Sequence, residues 1–416
     1  MSPVAAQGQV VNQCLSCGSD HLEGVLDLGI QPLANKLQTE ADLEKPESRF
    51  PLGLQICCDC RLLQLTHLVP PSDLFSDYFY FSSFSQMMLD HSAKAARHYI
   101  DVLDLGTDSF VVEVASNDGY LLRNFVEVEI PCLGIEPAAN IAAVAREKGV
   151  DTLEIFFGKD SAREVSKLRG KADLILGNNV FAHVPDTNDF VGGLAELLKP
   201  DGRVVLEFPY AIDFLENAEF DTVYHEHVFY FSLTALMPLF ERHGLKIIDA
   251  ERIAIHGGSL RLTACHEQGG ALCESIEKLL REEEAYGIGR MNCYEEFASR
   301  VAGNRQEILA MLGKIKKEGG TLAVYGASAK GSTLLNYCGM GRETFDFAVD
   351  RSNYKQGYLT PGTHLPILPP EVLCERQPDY TLLLTWNFAD EILEQQEKYR
   401  RKGGRFIIPI PEPKII

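Results

Sequence analysis

Strand patterns alternate with helical patterns along two stretches of this chain, and this alternation limits the possible folds more than any other feature. The first stretch contains apolar runs that predict buried strands, with helical patterns between them, at residues 110–115, 132–136, 173–177 and 202–207. Strands separated by helices in this way form a parallel sheet with helices on both faces. Two further strand patterns, residues 245–251 and 259–266, allow an antiparallel pair to close the same sheet.

The last quarter of the chain has the same texture on a smaller scale. A strand pattern at residues 321–325 leads into the loop Gly-Ala-Ser-Ala-Lys-Gly at 326–331, which opens a helix. Residues 270–318, between the two stretches, are charged and have helical periodicity. We therefore predict an α/β protein in consecutive parts: an N-terminal module at 1–75, a doubly wound Rossmann-like domain at 76–268, a helical connector at 269–310 and a C-terminal Rossmann-like domain at 311–416.

Composition and charge exclude several classes of partner. The 416 residues carry a net charge of −20, so the phosphates of nucleic acids and of anionic membranes would be repelled. Apolar runs stay well short of the roughly 20 residues that a membrane-spanning helix needs. The first residues lack the basic and apolar segments of a secretory signal. We expect a cytoplasmic protein with no nucleic-acid or membrane partner.

Paired cysteines near the N-terminus predict a structural zinc site. Cys14-x-x-Cys17 and Cys57-x-x-Cys60 are separated by 39 residues, and each pair can present two thiolates from one tight turn. Two such turns complete a tetrahedral four-cysteine zinc site, which leaves no open position for catalysis. Unrelated redox or core cysteines are the alternative, and Cys58 permits a second register for the later pair.

The first predicted strand and the turn after it indicate where a small ligand binds. Ligands of doubly wound sheets bind at the carboxyl ends of the strands, where the single-glycine turn at 116–119 would meet them. Glu136 ends the next strand, 17 residues beyond Gly119, and an acid there can accept both hydroxyl hydrogens of a ribose.

The lack of Gly-x-Gly-x-x-Gly disfavours a dinucleotide, whereas S-adenosylmethionine has a ribose but no pyrophosphate. Phe156 and Phe157 could flank its adenine. Any other ligand of a doubly wound domain is the alternative. The predicted cofactor-binding residues are Glu113, Ala115, Asn117, Asp118, Gly119, Glu136, Pro137, Phe157, Asn178 and Asn179.

The densest group of proton-active side chains is the run Tyr-His-Glu-His at 224–227, and three interpretations of it are open. In an extended segment His225 and His227 share one face and, with His183, could bind a catalytic metal. His227 could instead act with Tyr224 in proton abstraction, which requires an irregular segment because the two face opposite sides of a strand. The run could also be a hydrogen-bonded part of the core.

Further motifs follow the paired cysteines along the chain: EVASNDGYLL (113–122), GIEPAANIA (134–142), NNVFAHVPD (178–186), YHEHVFYFS (224–232), HGGSLR (256–261), GASAKG (326–331) and TWNFADEI (385–392). In this order, over essentially the whole chain, they resemble the S-adenosylmethionine-dependent C-methyltransferases that act on nucleotide-linked 4-keto-deoxysugars. The resemblance implies a zinc module, a central class I methyltransferase domain and a C-terminal domain that closes over the nucleotide sugar.

The resemblance also implies a reaction at the carbon beside a ketone, with carbon 3 favoured over carbon 5. A base removes the hydrogen that the ketone acidifies, and the enolate attacks the methyl group of S-adenosylmethionine. Such a step needs a base of near-neutral pKa and hydrogen bonds to the enolate oxygen. The matching residues are His227 as general base, Tyr224 beside it, Glu226 as supporting carboxylate, His183, and either Tyr78 or Tyr80.

The loop at 326–331 predicts a site for the nucleotide diphosphate, because N–H groups at a helix N-terminus and a nearby lysine bind phosphates. A tight turn with a solvated lysine is the alternative. The carrier would be thymidine or guanosine diphosphate, and the protein a monomer or homodimer. The predicted substrate-binding residues are Ser328, Lys330, Gly331, Asp350 and Asn387.

Two other functions remain open at this point. The chain could be a nucleotide-sugar-binding protein that retains these folds without turnover. It could also be a metal-dependent sugar epimerase or isomerase that uses His225 and His227.

Overall fold

The computed structural model describes residues 8–70, 74, 82–84, 86–255 and 257–416. Two predicted site residues, Tyr78 and Tyr80, lie outside these ranges, as does His256. None of the helices within the ranges combines the length and the apolar character that crossing a bilayer requires.

The N-terminal module consists of short antiparallel strands beside the paired cysteines. Its strands are β1 (Gln9–Val10), β2 (Leu22–Pro32), β3 (Arg49–Cys57), β4 (Leu63–Leu65) and β5 (His67–Leu68). Alternate residues of β3, among them Leu52, Leu54 and Ile56, are buried, as expected for a strand with one face in the core. The sheet of β2, β3 and β4 gains a fourth strand, Phe229–Tyr230, which pairs with β4. Backbone hydrogen bonds therefore join this module to the middle of the chain.

The middle of the chain forms the doubly wound sheet that the alternating pattern predicts. Its strands are β6 (Val111–Val114), β7 (Cys132–Ile135), β8 (Thr152–Leu153), β9 (Ala172–Asn178), β10 (Leu198–Pro209), β12 (Leu245–Ile253) and β13 (Ser259–His266), with β11 (Phe229–Tyr230) in the N-terminal sheet. The strand order is β12-β13-β10-β9-β6-β7-β8. β6 to β10 are parallel, and β13 runs antiparallel to β10 and β12. The predicted fold class is confirmed, including the antiparallel closing pair.

Helices cover both faces of this sheet. They are α1 (Gln86–Val102), α2 (Arg123–Val126), α3 (Ala139–Glu147), α4 (Lys159–Arg169), α5 (Thr187–Leu197), α6 (Ala211–Glu216) and α7 (Leu233–Glu241). Successive strand residues face opposite sides, so Val111 belongs to one apolar cluster with Tyr99 of α1, whereas Val112 belongs to the larger core on the other face. Burial on both faces explains why the strands are continuous apolar runs.

The turn after β6 is longer than the sequence predicts. Residues 120–126 are predicted to begin a helix, but α2 begins only at Arg123. Ala115, Asn117 and Gly119 have φ values of 55°, 49° and 77°. These three residues lie in the predicted turn or directly before it, and their left-handed backbone follows the carboxyl end of β6.

The C-terminal part is a second, smaller parallel sheet, reached through the helices α8 (Glu274–Tyr286) and α9 (Met291–Lys317). Its strands are β14 (Leu322–Tyr325), β15 (Ala348–Val349), β16 (Ile367–Leu368), β17 (Tyr380–Leu383), β18 (Arg405–Ile408) and β19 (Lys414–Ile415). Its helices are α10 (Ala329–Cys338), α11 (Val372–Arg376), α12 (Ala389–Gln395) and α13 (Glu397–Arg401). The order is β16-β15-β14-β17-β18-β19, parallel apart from β19. The residue limits of the predicted parts stay a prediction.

Candidate active site

Each of the two parallel sheets has a topological switch point, where consecutive strands go to opposite sides. In the central sheet it lies between β6 and β9, and in the C-terminal sheet between β14 and β17. Ligands of open α/β sheets bind at the carboxyl ends of strands at such points. The predicted cofactor residues lie in or after β6, β7, β8 and β9, and the predicted nucleotide-sugar residues follow β14, β15 and β17.

The acid at the end of β7 organises the turn after β6. Glu136 accepts hydrogen bonds from the backbone N–H of Asn117 at 3.0 Å and of Ala138 at 2.9 Å. Burial raises its pKa, and these two hydrogen bonds oppose the rise. Each carboxylate oxygen keeps a further lone pair, so Glu136 can hold the turn and still accept a ribose hydroxyl.

Polar atoms without partners mark the same edge as a ligand site. Both carboxylate oxygens of the fully buried Glu113, and the hydroxyl of Ser116, have no hydrogen-bond partner among the described residues. Burial, together with the nearby negative charges of Glu136, Asp118 and Glu207, raises the pKa of Glu113 well above its usual value. Buried acceptors without donors are costly. A ligand with ammonium and hydroxyl donors, such as S-adenosylmethionine, fits these residues.

Three predicted cofactor residues also contact other parts of the protein. Asp118 is buried and accepts hydrogen bonds from Lys148, at 2.8 Å, and from Ser83. A Cβ at Gly119 would lie 2.8 Å from a methyl group of Val150, so the glycine makes room for this side chain. Phe157 lies against the ring of Phe190, at 5.4 Å between centroids.

The other predicted residues at this edge remain available. Phe156, beside Phe157, is 66% exposed and is therefore the ring that a bound adenine could cover. Ala115, Pro137, Asn178 and Asn179 are partly exposed where β6, β7 and β9 end.

The run at 224–227 is an irregular turn, and it brings Tyr224 and His227 together. The backbone N–H of His227 donates to the carbonyl of Tyr224 at 2.9 Å. The hydroxyl of Tyr224 lies 2.5 Å from Nε2 of His227, and Nδ1 of His227 lies 2.9 Å from the carbonyl oxygen of Thr222. A carbonyl oxygen only accepts, so Nδ1 carries the hydrogen, Nε2 is the acceptor and the tyrosine hydroxyl donates. Proton abstraction by His227 together with Tyr224 requires an irregular segment, and the structure has one here.

His183 joins this pair from the turn Phe181–His183 after β9. Its ring lies 4.8 Å from that of His227, between centroids, at 81°. Burial lowers the pKa of His183 to about 4, against a hydrogen bond to the backbone of Glu226 that favours the protonated form. His183 is therefore neutral at pH 7. In its hydrogen bond with the backbone of Glu226, the single N–H of the ring donates to the Glu226 carbonyl. The other ring nitrogen is left as an acceptor.

The predicted supporting carboxylate contacts the N-terminal module. Glu226 is buried, and its Oε1 accepts a hydrogen bond from Nδ2 of Asn35 at 2.7 Å. Burial raises the pKa of Glu226 to about 7, and the Asn35 hydrogen bond opposes this rise. Among the described residues, the carboxylate is joined to Asn35 and not to His227. Asn35 is thus a site neighbour that sequence patterns did not predict.

His225 points away from His227, which corrects the interpretation of the two as a metal-binding pair. Its Nε2 lies 3.3 Å from the carbonyl oxygen of Pro51, and its ring packs against Phe50 at 5.7 Å between centroids. In a strand, side chains two positions apart point to the same face, whereas in this turn His225 and His227 point in different directions. Burial lowers the pKa of His225 to about 4, so it is a neutral core side chain.

The paired cysteines form a closed metal site. Their four sulfurs all lie within 4.8 Å of one another, with Cys14 to Cys60 at 3.5 Å and Cys17 to Cys57 at 3.6 Å. Tetrahedral zinc with Zn–S bonds of about 2.3 Å requires sulfurs about 3.8 Å apart, so the cluster fits zinc. In the part of the chain that the structure describes, this is the group of potential ligands close enough to hold a metal.

The loop between β14 and α10 repeats the arrangement of the cofactor turn. Asp350, at the end of β15, accepts a hydrogen bond from the backbone N–H of Ala327 at 2.8 Å, as Glu136 does from Asn117. Ser328 caps α10 by accepting from the N–H of Gly331 at 3.1 Å. Two of the N–H groups predicted to hold a diphosphate therefore already have protein partners.

The lysine of this loop faces protein groups. Nζ of Lys330 lies 4.9 Å above the ring of Trp386, and its charge opposes the raised pKa values of the buried Glu219 and Asp221. Trp386, next to the predicted Asn387, donates from Nε1 to Asp221 at 2.7 Å. Lys330 is partly exposed and lies at the contact between the C-terminal sheet and the segment that leads to His227.

Comparison with known proteins identifies the family. Residues 14–75 match a zinc binding domain, residues 88–250 a methyltransferase domain, and residues 254–411 the C-methyltransferase C-terminal domain. The C-methyltransferase NovU from Streptomyces niveus is 38% identical over 411 residues, which are 98% of this chain and 97% of that protein. This chain belongs to the C-methyltransferase family. Its cofactors are S-adenosylmethionine and zinc, as predicted.

Other similarities of this C-methyltransferase are partial. A ubiquinone biosynthesis O-methyltransferase from Rhodopseudomonas palustris (strain BisA53) is 25% identical over 96 residues, 23% of this chain and 38% of that protein. Among solved structures, magnesium protoporphyrin IX methyltransferase from Synechocystis PCC 6803 with bound SAH has 13% identity and a TM-score of 0.35. That match covers 43% of this chain and 83% of the solved chain.

Proposed function

We propose that this C-methyltransferase transfers a methyl group to carbon 3 of a nucleotide-linked 4-keto-deoxysugar, with His227 as the proton acceptor. The observation that carries the proposal is the pair of His227 and Tyr224, in which the Thr222 carbonyl keeps Nε2 as an acceptor. Both side chains are partly exposed, whereas their neighbours His225 and Glu226 are buried. Only the first two are placed to meet a substrate.

The pair supplies the base that enolisation needs. Nε2 of His227 takes the carbon-bound proton directly, or Tyr224 takes it while its own hydroxyl proton passes to Nε2. Either route ends with a doubly protonated His227 whose Nδ1–H stays on the Thr222 carbonyl. When bound, S-adenosylmethionine supplies the electrophilic methyl group. The acceptor nitrogen of His183 is suited to a sugar hydroxyl, which would orient the ring beside the pair.

The nucleotide diphosphate is proposed to bind at the switch point of the C-terminal sheet, at Ser328, Lys330, Gly331, Asp350 and Asn387. Support comes from the position of these residues at the carboxyl ends of β14, β15 and β17. The name of NovU does not specify a sugar, so thymidine and guanosine diphosphate sugars are both to be tested.

The first experiment measures S-adenosylhomocysteine release and substrate deuteration. The protein is incubated with a panel of 4-keto nucleotide sugars, and exchange of the carbon 3 hydrogen with deuterated solvent is followed by NMR with S-adenosylhomocysteine bound. His227→Asn is expected to lower both rates by about 10²-fold or more, because a general base is lost. S-adenosylmethionine binding, measured by calorimetry, should be unchanged.

A matched control is His98→Asn, at an exposed histidine on α1, which should behave as the wild type. Full activity of His227→Asn would remove this residue from the mechanism. Exchange or methylation at carbon 5 would reject the carbon 3 assignment. Binding of the nucleotide sugar without S-adenosylmethionine binding or turnover would favour the non-catalytic alternative.

A further inference from the structure

We propose that Asp221 is a positioning residue, through which the C-terminal domain sets the orientation of His227. The proposal rests on the proposed role of His227 as the proton acceptor. It assigns Trp386 and Thr333 as the groups of the C-terminal domain that hold the segment carrying the Thr222 carbonyl.

The orientation of His227 depends on one backbone oxygen. The Thr222 carbonyl accepts from Nδ1 of His227 at 2.9 Å and from the hydroxyl of Tyr230 at 2.9 Å. Thr222 ends the short helical turn Phe220–Thr222. A shift of this turn would move the acceptor of Nδ1, and with it the tautomer and the direction of Nε2.

The C-terminal domain holds the residues on both sides of Thr222. On one side, Nε1 of Trp386 donates to Oδ2 of Asp221 at 2.7 Å. On the other, the hydroxyl of Thr333, in α10, donates to the carbonyl of Val223 at 2.9 Å. These contacts join positions 165 and 110 residues apart in the chain. The backbone of Thr222 is therefore fixed from two points on the C-terminal domain.

The burial of the Asp221 carboxylate is not explained by stability alone. Its side chain is fully buried, and Oδ1 has no hydrogen-bond partner among the described residues. A buried carboxylate costs more free energy than an apolar side chain of similar size, so stability alone does not favour it here. What the carboxylate provides is a directed acceptor for Trp386, and its charge lies beside that of Lys330.

The same contact connects Asp221 to the proposed diphosphate site. Lys330 lies over the ring of Trp386, in the loop that opens α10, the helix of Thr333. An anion bound by that loop would attract the ammonium group of Lys330, which already lies over Trp386 and near Asp221. The contacts among Lys330, Trp386 and Asp221 would thus serve both the binding of the nucleotide and the orientation of His227.

The experiment compares Trp386→Phe and Thr333→Val with Thr381→Val. Both of the first two remove a donor to the segment at 221–223. Thr333→Val keeps the shape of the side chain, and Trp386→Phe keeps an aromatic ring of smaller size. Thr381, in β17, is also a buried threonine, and its hydroxyl donates to the hydroxyl of Tyr399 in α13, within the C-terminal domain, so Thr381→Val is the matched control. Melting temperature and S-adenosylmethionine binding are measured for all three.

We expect Trp386→Phe and Thr333→Val each to lower solvent exchange at the sugar carbon by about 10-fold, as small misplacements do. Thr381→Val should lower only the melting temperature. A second readout, independent of activity, is the ¹⁵N spectrum of His227, which reports its tautomer. The Nδ1–H tautomer should dominate in the wild type and in Thr381→Val. Its population should decrease in Trp386→Phe and Thr333→Val.

Wild-type exchange rates and an unchanged tautomer in both variants would overturn the positioning role. Equal losses of exchange in all three variants, in step with melting temperature, would also overturn it, because a general loss of stability would suffice. If the wild type exchanges no substrate hydrogen, the proposed function fails, and the His227 tautomer still decides whether the C-terminal domain positions this side chain.

Discussion

At the scale of single residues, hydrogen-bond partners decide which protons are available. His225 and His227 are both histidines and lie two positions apart. His227 faces the hydroxyl of Tyr224, whereas His225 faces the carbonyl of Pro51. Their surroundings separate the proposed proton acceptor, His227, from a core residue, His225. The alternation rule for strands did not predict this, because the run folds as a turn in which the rule does not hold.

The pKa of Glu226 predicts how stability depends on pH. Burial raises it from 4.5 to about 7. A carboxyl with a higher pKa in the folded state stabilises that state below the unfolded pKa, and the contribution is lost as the pH rises through the folded value. We therefore expect Glu226→Gln to gain melting temperature relative to the wild type as the pH is raised from about 5 to about 8.

Glu147→Gln, at an exposed glutamate in α3, is the control for this pH series. Its melting temperature should follow that of the wild type at each pH. Parallel curves for Glu226→Gln and the wild type would show that the buried carboxyl does not take up a proton in this range.

At the scale of secondary structure, one buried carboxylate completes a helix N-terminus. Glu283 of α8 accepts from the N–H of Leu233 at 2.6 Å and of Thr234 at 2.8 Å, the first residues of α7. Ser232 accepts from Ala235 at 3.2 Å, so the free donors of this helix end are paired. The negative charge also suits the positive end of the helix dipole.

Replacing this acceptor should cost stability. In Glu283→Gln one oxygen is exchanged for an NH₂ group that faces N–H donors, so we expect a loss of about 3 kcal/mol in the free energy of unfolding. Urea denaturation followed by fluorescence measures it. Glu284→Gln, at the exposed neighbour, should change the free energy little. Equal stability of the two variants would contradict the capping role.

At the scale of the whole molecule, the candidate site lies where the N-terminal module, the central sheet and the C-terminal domain meet. Asn35 contacts Glu226, and β4 pairs with β11, directly after His227 and Val228. The backbone N–H of Leu65 donates to the carbonyl of Val228 at 2.9 Å. The zinc module thus supports the turn at 224–227.

We therefore expect zinc removal to lower methyl transfer although the metal site is closed. Cys14→Ser should lose zinc and solubility, because structural zinc contributes folding free energy. In the wild type, activity should fall in step with the zinc content during chelation, measured by atomic emission spectroscopy. Cys273→Ser, at an exposed cysteine remote from the cluster in sequence, should keep both. Full activity of zinc-free protein would contradict the supporting role.

Much of the architecture was predictable because it leaves local patterns in the sequence. Buried parallel strands are continuous apolar runs, and paired Cys-x-x-Cys turns have a spacing that few other sites share. The acid that ends β7 was predictable as well, since the end of a strand and its residue type are both local properties. The beginning of α2 was predicted at Tyr120 and lies at Arg123, because the exact first residue of a helix leaves only a weak local signal in the sequence.

By itself the sequence determined the class of fold, the zinc ligands and the residues from which a base could be drawn. Only the tertiary structure decided that Thr222 sets the tautomer of His227, that Asn35 pairs with Glu226 and that Trp386 reaches Asp221. Asn35 and Glu226 are 191 residues apart. Periodicity and spacing report how a residue relates to its own strand or turn, whereas these hydrogen bonds form only once separate sheets have packed together.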